Sequence, residues 1–197
     1  MLRRKTILIP LVSMDDNKMR QFLEVIVDPG PVGSPDFKQL AIHGLEPAIT
    51  IARTALARFK LPLGIRGPVL YPAIPIPGLS NAAGATLGVT IGLLMYYGLC
   101  PGERILATGG LHVPQDGEKQ IKVINSSALD VKLTAALSLT KQSRPLPFIF
   151  PANSESEHIM DSLSSSLHKL NICPTPVTSL HQAITACRDI TCGDNDA

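Results

Sequence analysis

Apolar positions recur along this chain in two rhythms, one alternating and one helical, and the switches between them predict the elements. Lys5–Val12 and Arg20–Val27 read as strands, the second setting Phe22, Leu23, Val25 and Val27 against Glu24 and ending at the turn signal Asp28-Pro29-Gly30. A loop rich in proline and glycine follows from Pro29 to Pro35, then a third strand over Phe37–Ile42. Glu46–Phe59 predicts a helix, since Ile49, Ala52, Leu56 and Phe59 share one stripe and Pro47 fits the first turn. Prolines 68, 72, 75 and 77 force Pro68–Ile76 to be extended. A helix over Ala82–Tyr97 comes next and Gly98 stops it. Arg104–Thr108 predicts a short strand, and Leu111–Val113 with Ile121–Ile124 a hairpin around Gln115-Asp116-Gly117.

The third helix is expected over Ser127–Thr140, with Leu129, Leu133, Ala136 and Leu137 on one face and Ser127 and Asp130 at capping-box spacing. Pro147–Phe150 reads as a buried strand. Ser154-Glu155-Ser156-Glu157 offers a cleaner capping box for a helix reaching Leu170. Ile172–Val177 predicts a last strand and Ser179–Arg188 a last helix. No repeat or linker divides the pattern. Residues 1–192 are therefore expected to form a single α+β domain, a mixed sheet packed with helices, and 193–197 a flexible polar tail.

Composition narrows the function classes. The 197 residues are 45% apolar and only 17% charged, which suits one continuous core and excludes a disordered chain. Net charge is +2, and the basic residues are scattered apart from Arg3-Arg4-Lys5, so no stripe is written for gripping nucleic acid. The start resembles a signal peptide, but Pro10 breaks its apolar run and Asp15-Asp16 follow with no small-residue cleavage site, so a first strand is the better reading. Cys100, Cys173, Cys187 and Cys192 show no disulfide-framework spacing, which points to a reducing, cytoplasmic setting. His181, Cys187 and Cys192 lack zinc-finger spacing, and no metal is expected.

Ala82 to Cys100 carries no charge and is about long enough to span a bilayer, with Gly84, Gly88 and Gly92 in a small-residue repeat. Its flanks are proline-rich turns rather than basic anchors. A helix sandwiched inside a soluble fold would be apolar all round as well, with glycines where backbones approach. The sandwiched helix is the expectation.

Three local patterns then stand in a meaningful order. Ile74-Pro75-Ile76-Pro77-Gly78-Leu79-Ser80-Asn81-Ala82-Ala83-Gly84 leads into an alanine- and glycine-rich helix; Ala107-Thr108-Gly109-Gly110 follows a strand about one helix length later; Ser127-Ala128-Leu129-Asp130-Val131-Lys132-Leu133-Thr134-Ala135-Ala136 opens the third helix. Together with Phe148-Ile149-Phe150-Pro151-Ala152-Asn153, these resemble the proteolytic domain of the Lon protease family across nearly the whole chain. They are similar to that family's Gly-Pro-Ser-Ala-Gly helix start, its Met-Thr-Gly-Glu, its Gly-Gly-Leu-Lys-Glu-Lys-Leu-Leu-Ala-Ala and its Pro-x-x-Asn. The non-peptidase relatives, such as the Lon-like tail of the RadA recombination protein, fit about equally well. The resemblance implies a ribosomal-protein-like β-α-β fold.

For peptidase members the resemblance implies a serine–lysine dyad. Serine needs a base to take its proton, and lysine is a base only when desolvation keeps it neutral. The match places Lys132 at the base and Thr108 beside it. On a helical wheel Lys132 lies about 60° from Leu129, at the flank of the apolar face, where either partial burial or snorkelling past Leu133 is open. Anchoring on Gly78-Leu79-Ser80 makes Ser80 the nucleophile, whereas anchoring on Ala83-Gly84 puts Ala82 there and leaves Ser80 as an N-cap. Gly110 stands where the family has its acid. No Gly-x-x-x-x-Gly-Lys-Ser/Thr loop occurs, so the chain holds no ATPase motor of its own, and no cofactor is expected. The resulting expectation is a Lon-like domain without peptidase activity, an adaptor or scaffold that binds protein partners or its own copies, with neither nucleic acid nor membrane. The alternative is a free-standing serine peptidase using Ser80, Lys132 and Thr108.

Overall fold

Strand β1 (Lys5–Val12) lies at the middle of the molecule because its residues are apolar on both sides. It pairs antiparallel with β2 (Met19–Pro29), Ile7 opposite Val25, and parallel with β5 (Arg104–Ala107), Ile7 opposite Ile105. A computed structural model describes residues 4–12, 19–30, 38–39, 45–59, 61, 67–73, 83–114 and 120–192. With β3 (Lys38–Gln39), β4 (Pro68–Pro72), β8 (Leu146–Pro151) and β9 (Ile172–Val177), these strands make one mixed sheet in the order β3-β4-β2-β1-β5-β8-β9. The four strands β1, β5, β8 and β9 run parallel, and a separate hairpin joins β6 (Gly110–His112) to β7 (Lys122–Ile124). The fold is α+β, as the two rhythms of the sequence imply.

Alternation along the strands divides the interior into two layers. Ile7, Ile9, Val25, Ile105 and Ile149 enter a core shared with helices α1 (Glu46–Leu56), α2 (Thr86–Tyr96) and α5 (Leu180–Cys192). Leu8, Leu106, Phe148 and Phe150 enter the other, under α3 (Leu129–Ala135) and α4 (Ser154–Lys169). Phe148 and Phe150 stack at 5.1 Å between centroids, a spacing favourable for tilted rings.

The apolar stretch that could have been a membrane span is the inside of the first layer. Every residue of α2 is buried, and no helix among the described residues is long and apolar enough to cross a membrane. The glycine repeat lets α2 lie against the sheet. A Cβ on Gly88 would sit 3.1 Å from Ile7 Cγ2, and one on Gly92 would overlap the Ile7 side chain outright. Thr90 hides its hydroxyl by donating to the Thr86 carbonyl at 2.8 Å. Gly98, at φ +75, then ends the helix.

Two expectations about helix starts need correction. Ser127 does not cap α3: the N-cap is Ala128, held at φ 51 and ψ 49 with no side-chain cap bond, so the turn is made by backbone geometry. The helix is also shorter, with a 3-10 turn over Ala136–Ser138 completing it. In α4 the capping box lies one residue earlier than predicted. Asn153 accepts from the Ser156 amide at 2.7 Å, and the Ser156 hydroxyl receives the Asn153 amide at 3.0 Å. Asn and Ser are equally good caps, and strand β8, paired through Pro151 opposite Val177, decides between them. Part of the third strand and residues 74–76 and 193–197 lie outside the described residues.

Candidate functional site

The carboxyl end of β5 is where chains cross from one layer to the other. Helix α2, which precedes β5, lies in the first layer, and α3, which follows it, lies in the second. Such switch points leave a crevice outside the strand ends. Here Thr108 leaves the strand with its amide bonded to the Ile149 carbonyl at 3.1 Å and its side chain fully buried. Gly109 turns at φ +132 and is tied to the start of α2 twice: its amide donates to the Gly84 carbonyl at 2.8 Å, and its carbonyl accepts from Leu87 at 3.1 Å. Glycine is required at 109, since a side chain would be strained there and its Cβ would lie 3.0 Å from Pro151.

The hairpin supplies the second wall. It docks on the turn after β9, with Val123 donating to the Thr178 carbonyl and Leu180 to the Ile121 carbonyl. Beyond β7 the chain passes through Asn125, which takes a hydrogen bond from the side-chain amide of the α4 cap Asn153. Ser126 follows, half-buried, its hydroxyl 3.3 Å from that of Thr108.

Helix α3 supplies the amine. Lys132 is only 8% exposed, so most of the side chain is buried while its amine keeps some access to solvent. Leu129 and Leu133 anchor the helix in the second core while Lys132 extends toward the start of α2. A Cβ on Gly84 would lie 3.3 Å from Lys132 Nζ, 2.8 Å from Ser126 Cβ and 3.6 Å from Ser126 Oγ. Lys132 and Ser126 thus share the space that Gly84 leaves open. No described residue gives Nζ a hydrogen bond or a carboxylate, and burial alone lowers the pKa of the amine from the ordinary 10.5 to about 8. At neutral pH a useful fraction of such an amine is free base.

Compared with known proteins, the chain matches no family model and no curated sequence.

Of the three residues expected at the site, Thr108 and Lys132 come to the same crevice, bridged by Ser126 and Gly84, while Ser80 lies outside the described residues, as does Ala82. Ser126 is the residue that sequence reasoning missed. Between a strand and a helix, the polar triplet Asn125-Ser126-Ser127 reads as a loop, and only the packing of Gly84 against it marks the position. No group of three metal-ligating side chains occurs among the described residues. The Cys187 thiol, buried against Cys100, is pushed far up by that contact and by burial, so it stays protonated and unreactive.

Proposed function

We propose that the chain is a Lon-proteolytic-domain-like serine hydrolase acting on unstructured peptides, with Lys132 as general base. The observation that carries this reading is the mostly buried Lys132, whose amine has no partner among the described residues and lies with the Ser126 hydroxyl against Gly84. Burying a cation without a partner destabilises a fold, and a scaffold would do better with leucine or methionine at this position. The arrangement makes sense where a neutral amine has a proton to accept. The reading therefore favours the peptidase alternative over the inert adaptor.

In such a hydrolase a serine hydroxyl at the crevice attacks the carbonyl carbon of a peptide while its proton passes to Lys132 Nζ. The ammonium returns that proton to the departing amine. Water then hydrolyses the ester, with the same nitrogen as base. Thr108 holds the neighbouring hydroxyl in the resting site through its own and releases it when substrate arrives.

The test is labelling with a fluorophosphonate together with cleavage of an unfolded protein substrate, in wild type and in Lys132→Met. Both signals should drop by at least ~100-fold in the variant, the usual scale for losing a general base, with its circular dichroism unchanged. A wild type that neither labels nor cleaves would return the chain to the adaptor reading, for which the exposed Ile124 of the hairpin, at 45%, is the first contact to probe.

A further inference from the structure

We infer that Ser126, on the segment between β7 and α3, is the hydroxyl that Lys132 activates, and hence the residue that carries the acyl group. The inference rests on the hydrolase reading and names its nucleophile. Three observations converge on it. First, Ser126 Oγ and Lys132 Nζ both lie within 3.6 Å of a single point in front of the Gly84 Cα, so no more than twice that distance separates them. A turn about the Ser126 Cα–Cβ bond to another staggered position redirects the hydroxyl without moving the backbone. Resting nucleophile–base contacts are commonly long and close only around substrate.

Second, the chain between the two residues is bent in a way that is costly. Ala128 occupies the left-handed region at φ 51, where a Cβ crowds the following carbonyl oxygen. That kink is what folds Ser126 back toward the helix that bears Lys132, six positions on. A regular helix start with Ser127 as its cap would avoid the strain. Backbone strain of this kind persists where the surroundings hold it, and here they do: Asn153 fixes Asn125, and Thr108 fixes Ser126.

Third, the two groups differ in their access to solvent. A Cβ on Gly84 would collide with Ser126, which is itself half-open to solvent while Lys132 is mostly covered. A peptide carbonyl arriving from solvent meets the serine before the lysine. In the step itself the Oγ–carbon bond forms as the Oγ–H proton moves to Nζ. The carbon–nitrogen bond of the peptide then breaks, and the leaving amine takes the proton from Nζ. Water attacks the serine ester, giving a carboxylic acid and the free hydroxyl. No other reactant is needed.

Trypsin separates the two candidate serines. Cutting after Lys122 and Lys132 puts Ser126 on one short peptide, whereas Ser80 falls on the long fragment between Arg66 and Arg104. Wild type treated with a fluorophosphonate should carry the adduct on the short peptide, and fragment ions should assign it to Ser126 rather than Ser127. Labelling should vanish in Ser126→Ala. In Ser126→Cys, iodoacetamide should modify position 126 at least tenfold faster than the half-buried Cys173 of the same molecules, and more slowly once Lys132 is replaced by Met. An adduct on the Ser80 fragment, or one that survives Ser126→Ala, would overturn the assignment while leaving the hydrolase reading intact. No adduct on any serine would remove both.

Discussion

Helices α2 and α3 face the same sheet from opposite layers and use their buried positions in opposite ways. All eleven residues of α2 are buried, its glycines fit the Ile7 side chain, and the Thr90 hydroxyl bonds within the helix. In α3, with seven residues, Leu129, Leu133 and Ala135 are joined inside by a lysine amine. The first helix carries nothing but packing; the second gives one buried position to a lysine. The contrast locates chemistry better than either helix alone, because an amine stands out only against a neighbour with no such exception.

Mutations at the two helices should therefore have opposite signs. Ile91→Ala in α2 removes a fully buried side chain from a layer with no freedom to collapse, and should destabilise by about 4 kcal/mol in urea unfolding. Lys132→Met should instead stabilise by ~2 kcal/mol at pH 7, part of the full desolvation effect, since some of the side chain still reaches solvent. The pH dependence follows from the lowered amine. Below about pH 8 both folded and unfolded chains are protonated, and the folded state bears the whole penalty. From about 8 to 10.5 the unfolded chain binds more protons, so wild-type stability rises with pH and the advantage of the methionine variant shrinks. A variant advantage that stayed constant across this window, or a loss at pH 7, would break the comparison. Fluorophosphonate labelling, if Lys132 is the base, should climb through the same lower limit.

A smaller effect sharpens the comparison at the edge of the site. Asn153→Ala removes the cap of α4 and the support of Asn125, and should cost about 1 kcal/mol while also slowing labelling. Ser154→Ala, at the position the sequence favoured for the cap, should change stability by less than about 0.5 kcal/mol, as exposed substitutions do. Equal losses at the two positions would mean that the capping box is shared.

The elements were legible wherever a periodic pattern was long. Strands β1 and β9 begin and end where the alternation does, and α2 is announced by its unbroken apolar run. Lys132 could be placed at the flank of its helix but not inside or outside, because a wheel gives an angle and burial depends on what the sheet brings opposite. Ser126 left no mark at all. Its role arises from a left-handed alanine at 128, a conformation that alanine does not advertise as glycine or asparagine would, and from a contact across forty-two positions with Gly84.

That contact has one more implication. Ser126 and Lys132 can approach the start of α2 together only because position 84 bears a hydrogen atom, for a methyl group in its place would press on both. Because Gly84 and Gly109 are clasped by their backbones, neither wall can retreat to make room. A side chain at that position would have to push the serine and the amine aside, so the smallest of residues sets how closely the two can meet.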